Sequence, residues 1–382
     1  MTLKKTIFLF LLCTSCASNQ NIFPDLPTAL DSAHIALPNP ISVVADTANE
    51  QIILVNSNVD FFYENGSIIT ISVDATDPNA PVLTATDLVT TPRYAGTAAF
   101  DGAASLYVPF RENDQLIKYT VGTGTIDQTA TGTVGKNPFG TAVHNGEVLV
   151  VSDKELNILD TDLNSLTDID LTSASDSGVR KASTKYVENI AVDTTNDRAF
   201  ISNRKGKIII VDLDTNTLTH VVSDSTPNPG GTQEPLNTRG ILFDDHFIYS
   251  TDGSPPSVFV FDADLVDDAD PLEIDDADIL VKLIDVELNP NGIVINTNTN
   301  RAFVANSSDK SISVIDLTLL EEIQRISLKE ADTGFETGSQ PFALATGAFN
   351  GGATELVLVA NIDSNNITVI NAGTLQVVAS FP

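Results

Sequence analysis

The amino-acid sequence predicts an all-β fold, a seven-bladed β-propeller of four-stranded antiparallel blades. Three observations carry the prediction. The first is repetition. The segment AFVANSSDKSISVIDLTLLEEIQRISL, ending at Leu328, returns as LVLVANIDSNNITVINAGTLQVVASFP, ending at Pro382, and looser copies upstream bring the units to seven. The second is pitch: the units start near residues 39, 93, 137, 186, 237, 289 and 340, 44 to 54 residues apart, which suits a propeller blade and is too long for a leucine-rich repeat. The third is content. Each unit holds four apolar runs rich in Val, Ile, Thr and Phe, separated by Asn, Asp and Gly turns, with alternation at Ser311 to Asp316. Such runs are strands joined as hairpins. One blade cannot bury its own faces, so the units must pack against one another in a ring that leaves no long edge exposed.

Each unit opens on a polar corner: Asn39-Pro40, Arg93-Tyr94-Ala95-Gly96, Asn137-Pro138-Phe139-Gly140, Tyr186-Val187-Glu188-Asn189, Asn237-Thr238-Arg239-Gly240, Asn289-Pro290-Asn291-Gly292 and Gln340-Pro341-Phe342-Ala343. Strand A follows, as at Gly292 to Ile295, then strand B, as at Ala302 to Ala305, then the alternating strand C and a closing strand D. Strand B ends in Asn203, Asn306 and Asn361, with Ser57, Phe110, Ser152 and Thr251 read as standing in that place in the other four units. An Asn at a strand end satisfies turn amides and accepts left-handed backbone, so these are read as structural rather than as a ligand ring. The run Ala33 to Pro38 looks like the strand that precedes a corner elsewhere and is expected to dock on the last blade, where Leu375 to Phe381 already supplies a fourth strand.

The strand-B tetrads Phe303-Val304-Ala305-Asn306, Leu358-Val359-Ala360-Asn361 and Phe200-Ile201-Ser202-Asn203, with the Ser313-Val314-Ile315-Asp316 strand and the Thr374-Leu375 and Thr217-Leu218 corners, resemble the YVTN family of β-propeller repeats. The resemblance implies the fold, and such folds host unrelated activities. Lactonases sharing this propeller type carry carboxylates, Asn, Arg or His at the channel mouth, so it also implies a lactone-hydrolase alternative through Glu188, Asn291 and Arg239.

Residues 1–16, MTLKKTIFLFLLCTSC, join two lysines, a short apolar core and small residues before a cysteine. The core falls short of the roughly 20 residues a spanning helix needs and reads as a secretion signal. Its end resembles a bacterial lipobox, with Cys13 where Leu is usual, which implies lipidation of Cys16. Residues 17–32 read as a polar tether and 33–382 as the propeller. Both cysteines lie in the signal, so the mature domain is expected to have no disulfide, Cys nucleophile or thiolate metal cluster. A net charge of −31, two units more negative once Lys4 and Lys5 leave, excludes nucleic-acid partners. The absence of Trp weighs against a stacking platform for sugars. The expectation is an exported, monomeric outer-membrane lipoprotein, facing the periplasm or the surface and attached to the membrane only through its lipid.

Strand A lines the channel of a propeller, so specificity is expected where the corners surround its mouth. Alignment places Ile41, Ala95, Phe139, Glu188, Arg239, Asn291 and Phe342 at one equivalent position, with Arg93 and Tyr94 beside them. Arg93, Tyr94, Phe139, Glu188, Arg239, Asn291 and Phe342 are the candidate contacts for a small polar ligand or an envelope protein. An Arg239–Glu188 ion pair that merely seals the channel is the competing reading. The four histidines form no triad pattern, and nucleophile-elbow, phosphate-loop and His-x-x-x-His motifs are missing. A non-catalytic scaffold that requires no cofactor is therefore the first reading. The densest acidic run, Asp262 to Asp278, offers Asp264, Asp267, Asp268 and Asp270 as weak calcium ligands. Its irregular spacing lacks the central Gly of a calcium loop, so it is read as a solvated outer loop.

Overall fold

The computed structural model describes residues 23–28, 30, 35–172, 187–203, 207–223, 238–267, 273–329 and 338–382. Cys16, where lipidation is expected, most of the expected tether, Asp268 and Asp270 lie outside these residues. Seven sheets form blades one to seven over residues 40–91, 99–133, 141–170, 187–223, 238–285, 290–327 and 341–381, each with four antiparallel strands A to D, and the sheet of blade four gains a fifth strand from within blade five. The fold is an all-β seven-bladed propeller. In every blade the ladder between strands C and D carries a register shift, as at Thr70/Ile71 and Val369/Ile370. An extra residue bends the outer strand and increases its twist.

Burial follows position in the blade. Gln51–Asn56 and Asn366–Asn371, a strand B and a strand C, are buried at every residue, because both of their faces lie against neighbouring blades. Strand D, on the rim, keeps one face in water and accordingly alternates, as in Leu280–Asp285. The apolar residues sort into seven clusters, one for each seam between adjacent blades. The A–B and C–D turns lie on one side of the disc, here the hairpin face. The B–C turns and the connections into the next strand A lie on the other, the corner face.

Three expectations need correction. The acidic insertion in blade five is not simply a solvated loop. It forms two helical turns, Asp264–Asp267 and Asp276–Ile279, and a strand, Glu273–Asp275, that pairs in parallel with the outer strand of blade four, Thr217–Ser223. Val266, Ile274 and Ile279 bury their side chains in the seam between those blades, and this apolar spacing is what the carboxylate count obscured. The strand-B motif also sits one residue away from the expected position in two units. Asn56 pairs with Pro40 and Asp252 with Thr238, as Asn306 pairs with Pro290, so unit one carries the Asn and unit five its acid. Finally, residues 35–38 form no strand, although Leu37 does pack against the last blade, as a plug in the cluster that blade seven shares with blade one.

Candidate functional site at the channel mouth

The corners turn through left-handed backbone. Asn39, Asn137, Asn289 and Gln340 have φ values of 53°, 55°, 61° and 52°, a region where Asn is among the better-tolerated residues. In blades one, four, five, six and seven, strand A then carries a bulge against strand B. Val187 and Ile190, for instance, face Asn203 and Ile201, three steps against two. A bulge re-aims the residues it contains. Here those are Ile41, Glu188-Asn189, Arg239-Gly240, Asn291-Gly292 and Phe342.

Glu188, Asn189, Arg239, Asn291 and Phe342 line one axial cavity of about 200 Å³ at the corner-face end of the channel, with Thr97 across from them. Its polar groups are already linked. Arg239 Nη1 donates to Asn291 Oδ1 at 3.1 Å, and Asn189 Nδ2 donates to the Arg239 carbonyl at 3.1 Å. Thr97 Oγ1 donates across the bore to Asn189 Oδ1 at 3.1 Å. Asn291 Nδ2 donates to Ser307 Oγ, which in turn donates to the Pro341 carbonyl. Four of the sequence candidates therefore converge. Asn189 and Thr97 complete the site and escaped the alignment: the bulge in blade four presents two neighbouring residues where one position per corner was compared, and Thr97 lies two residues past the aligned Ala95.

The other candidates lie elsewhere. Phe139 is 8% exposed, packed in the seam cluster of blades one and two under the Arg111 guanidinium at 5.0 Å. Arg93 and Tyr94 belong to an outer group on the corner face. The Arg93 guanidinium lies 5.0 Å from the Phe61 ring and 5.7 Å from Phe23, and Phe61 packs edge-on against Tyr94 at 5.5 Å. Glu112 holds Arg93 there at 2.6 Å and raises its pKa.

The strand-B amides serve the blade. Asn306 Nδ2 bridges Ser311 and Ser313, Asn361 Nδ2 bridges Asn366 and Thr368, and Asn56 Nδ2 reaches Ser67. Each ties strand B to strand C at a fully buried position. On the hairpin face, Asp264 lies 2.9 Å from His246 Nδ1, and Asp262 lies 3.8 Å from Nε2. These three are the one group among the described residues whose donor atoms are spaced to share a cation. An imidazole with two carboxylates suits a transition metal better than calcium, which takes six to eight oxygens.

No family model matches the chain, and no curated protein matches it. Among solved structures it is similar to the Kuenenia stuttgartiensis hydrazine synthase, at 13% identity with a TM-score of 0.65, covering 95% of this chain and 100% of that one. At that identity the likeness supports the propeller architecture alone, the conclusion the blades, their seams and their strand order reach independently.

Proposed function

We propose that this is an exported lipoprotein, anchored at Cys16 in the outer membrane, whose propeller binds a small polar or anionic ligand, or an extended acidic segment of an envelope protein, in the axial cavity. The observation that carries the reading is Arg239 hydrogen-bonded to Asn291 in the lining of the axial cavity, a cation and amides converging within a strongly acidic protein. A cavity of about 200 Å³ is below the roughly 300–1,000 Å³ typical of drug-sized ligands, so the ligand is small. Acyl chemistry would need a water activator close to a charge stabiliser. Glu188 and Arg239 keep the lactonase-like reading second.

Thermal shift with acetate, succinate and citrate tests the first reading. A carboxylate present at about 100 Kd adds about 2.7 kcal/mol, and Arg239→Gln should abolish that gain while its unliganded melting temperature stays near the parent's. If no carboxylate raises the melting temperature, or if the variant responds equally, the cavity is not an anion site. Opening of γ-butyrolactone by the parent but not by Glu188→Gln would transfer the reading to the hydrolase.

A further inference from the structure

We infer that the corner face, with the mouth of the axial cavity, is held toward the lipid bilayer; the inference rests on the lipid-anchor reading. Three independent features support it. The first is where the tether joins the disc. Phe23 stacks on Phe61 at 5.6 Å, the Arg93 guanidinium covers both rings, and the Pro24 carbonyl accepts the Glu64 amide at 3.0 Å. Six residues separate Cys16 from Phe23, so the chain reaches at most about 24 Å from the lipid, at roughly 3.4 Å per residue. A six-residue strand B such as Arg301–Asn306 already spans about 20 Å from one face to the other. Resting the hairpin face on the membrane would use nearly the whole tether on the height of the disc.

The second feature is charge. Among the described side chains, the A–B and C–D turns of the hairpin face hold eleven carboxylates and no Lys or Arg, while the corner-face connections hold six Lys and Arg against eight carboxylates. Nearly all the net charge of these described turns therefore sits on one side. A surface of anionic headgroups repels that side and tolerates the other. The third feature is apolar exposure beside the docking point: Phe61 is 39% and Phe62 49% exposed, and both belong to the B–C turn of blade one. Aromatic rings flanked by Arg are the side chains that settle at a membrane interface.

The mature chain has no thiol other than Cys16, so single labels are clean. Ser308→Cys and Thr297→Cys mark the corner and hairpin faces of the same blade at exposed turn positions. Each is given a fluorophore in the lipidated protein, on phosphatidylethanolamine/phosphatidylglycerol vesicles carrying a headgroup nitroxide. The Ser308 label should be quenched about twofold or more relative to the Thr297 label, because the two positions lie about 20 Å apart along the strand. Phe23→Ala, which frees the tether, should narrow that contrast. Equal quenching, or stronger quenching at Thr297, overturns the orientation while leaving the anchor intact. Failure of the parent to float with vesicles, or flotation of Cys16→Ser protein, overturns the anchor reading and this inference with it.

Discussion

Among the described residues, the seam that closes the ring, between blades seven and one, buries sixteen apolar residues in one cluster, whereas the seam between blades two and three buries seven. Both use the same strand positions, so the difference comes from strand length and from what is added. Strands A and B of blade seven run nine and eight residues, against four and five in blade three. The closing seam also receives Leu37 from outside the blades. Polar links reinforce it: the Asn39 backbone amide donates to Asn365 Oδ1 at 2.8 Å, and the Glu50 carboxylate accepts from the Asn350 and Gly351 amides at 2.7 and 2.8 Å. A ring whose first and last blades are each made of four consecutive strands has no interlocking strand to hold its ends. It holds them by packing more side chains there than at the thin seam.

The comparison predicts that the largest effect follows from removing residues 374–382. That deletion takes away Gln376–Phe381, including Phe381 in the closing cluster, and exposes the edge of Asn366–Asn371, an aggregation liability. The truncated protein should be insoluble or oligomeric on size exclusion. A soluble monomer melting within about 1 °C of the parent, worth about 1 kcal/mol or less at roughly 2.1 cal/mol/K per residue, would mean that closure contributes little.

An intermediate effect is expected where a seam relies on charge. Arg198 Nη2 meets Asp193 Oδ2 at 2.7 Å, and Nη1 reaches the Ala263 carbonyl of the neighbouring blade at 3.1 Å. Asp193→Asn should cost about 3–5 kcal/mol in chemical denaturation, because it removes the carboxylate that the buried Arg198 guanidinium meets at 2.7 Å. Burial pushes the Asp193 carboxyl up, but bonds from Arg198, Asn196 and Thr195 outweigh it and leave its pKa below the ordinary value. Its contribution is thus complete above the unfolded carboxylate pKa of about 3.9 and is lost as pH falls through the lower folded value. The parent should lose this increment only below about pH 4, and the variant should lack that step. A step of equal size in both would remove Asp193 from the account.

The smallest effect is a difference between two equal substitutions. Leu358 in the closing seam and Leu116 in the thin seam are both fully buried, and truncation of either to Ala falls within about 2–5 kcal/mol. Leu358→Ala should lie at the upper end, because its crowded surroundings cannot collapse into the cavity, and Leu116→Ala at the lower. Equal costs would show that cluster size does not measure seam strength.

Much of this was legible in the sequence. Strand alternation, turn residues and pitch are local properties, and they sufficed for seven blades and for the ring of corners. The convergence of Glu188, Arg239 and Asn291 followed from aligning those corners. What escaped depends on register. A single extra residue in strand A decides that Asn189 also enters the cavity, and a one-residue offset hid Asn56 and Asp252 at the end of strand B. Arg93 and Tyr94 stand beside the right position in sequence, yet they turn outward to Phe61 and Phe23, a partnership between distant loops that no local pattern encodes. The acidic insertion misled for a different reason: its carboxylates dominate the composition, while three apolar side chains decide where it folds.

The corner glycines act as gauge blocks. A Cβ added at Gly140, Gly240 or Gly292 would fall within 3 Å of the carbonyl oxygen of Glu188, Asn291 or Phe342 in the adjoining blade, so backbone abuts backbone at these steps around the mouth. The diameter of the opening is thereby fixed by main-chain contact, while its chemistry is left to whatever side chain the adjoining bulge presents. Residues at Glu188, Arg239, Asn291 and Phe342 can be exchanged without resizing the aperture, whereas a methyl at one of these glycines would pry open the whole rim. The aperture and its selectivity are separately adjustable parts.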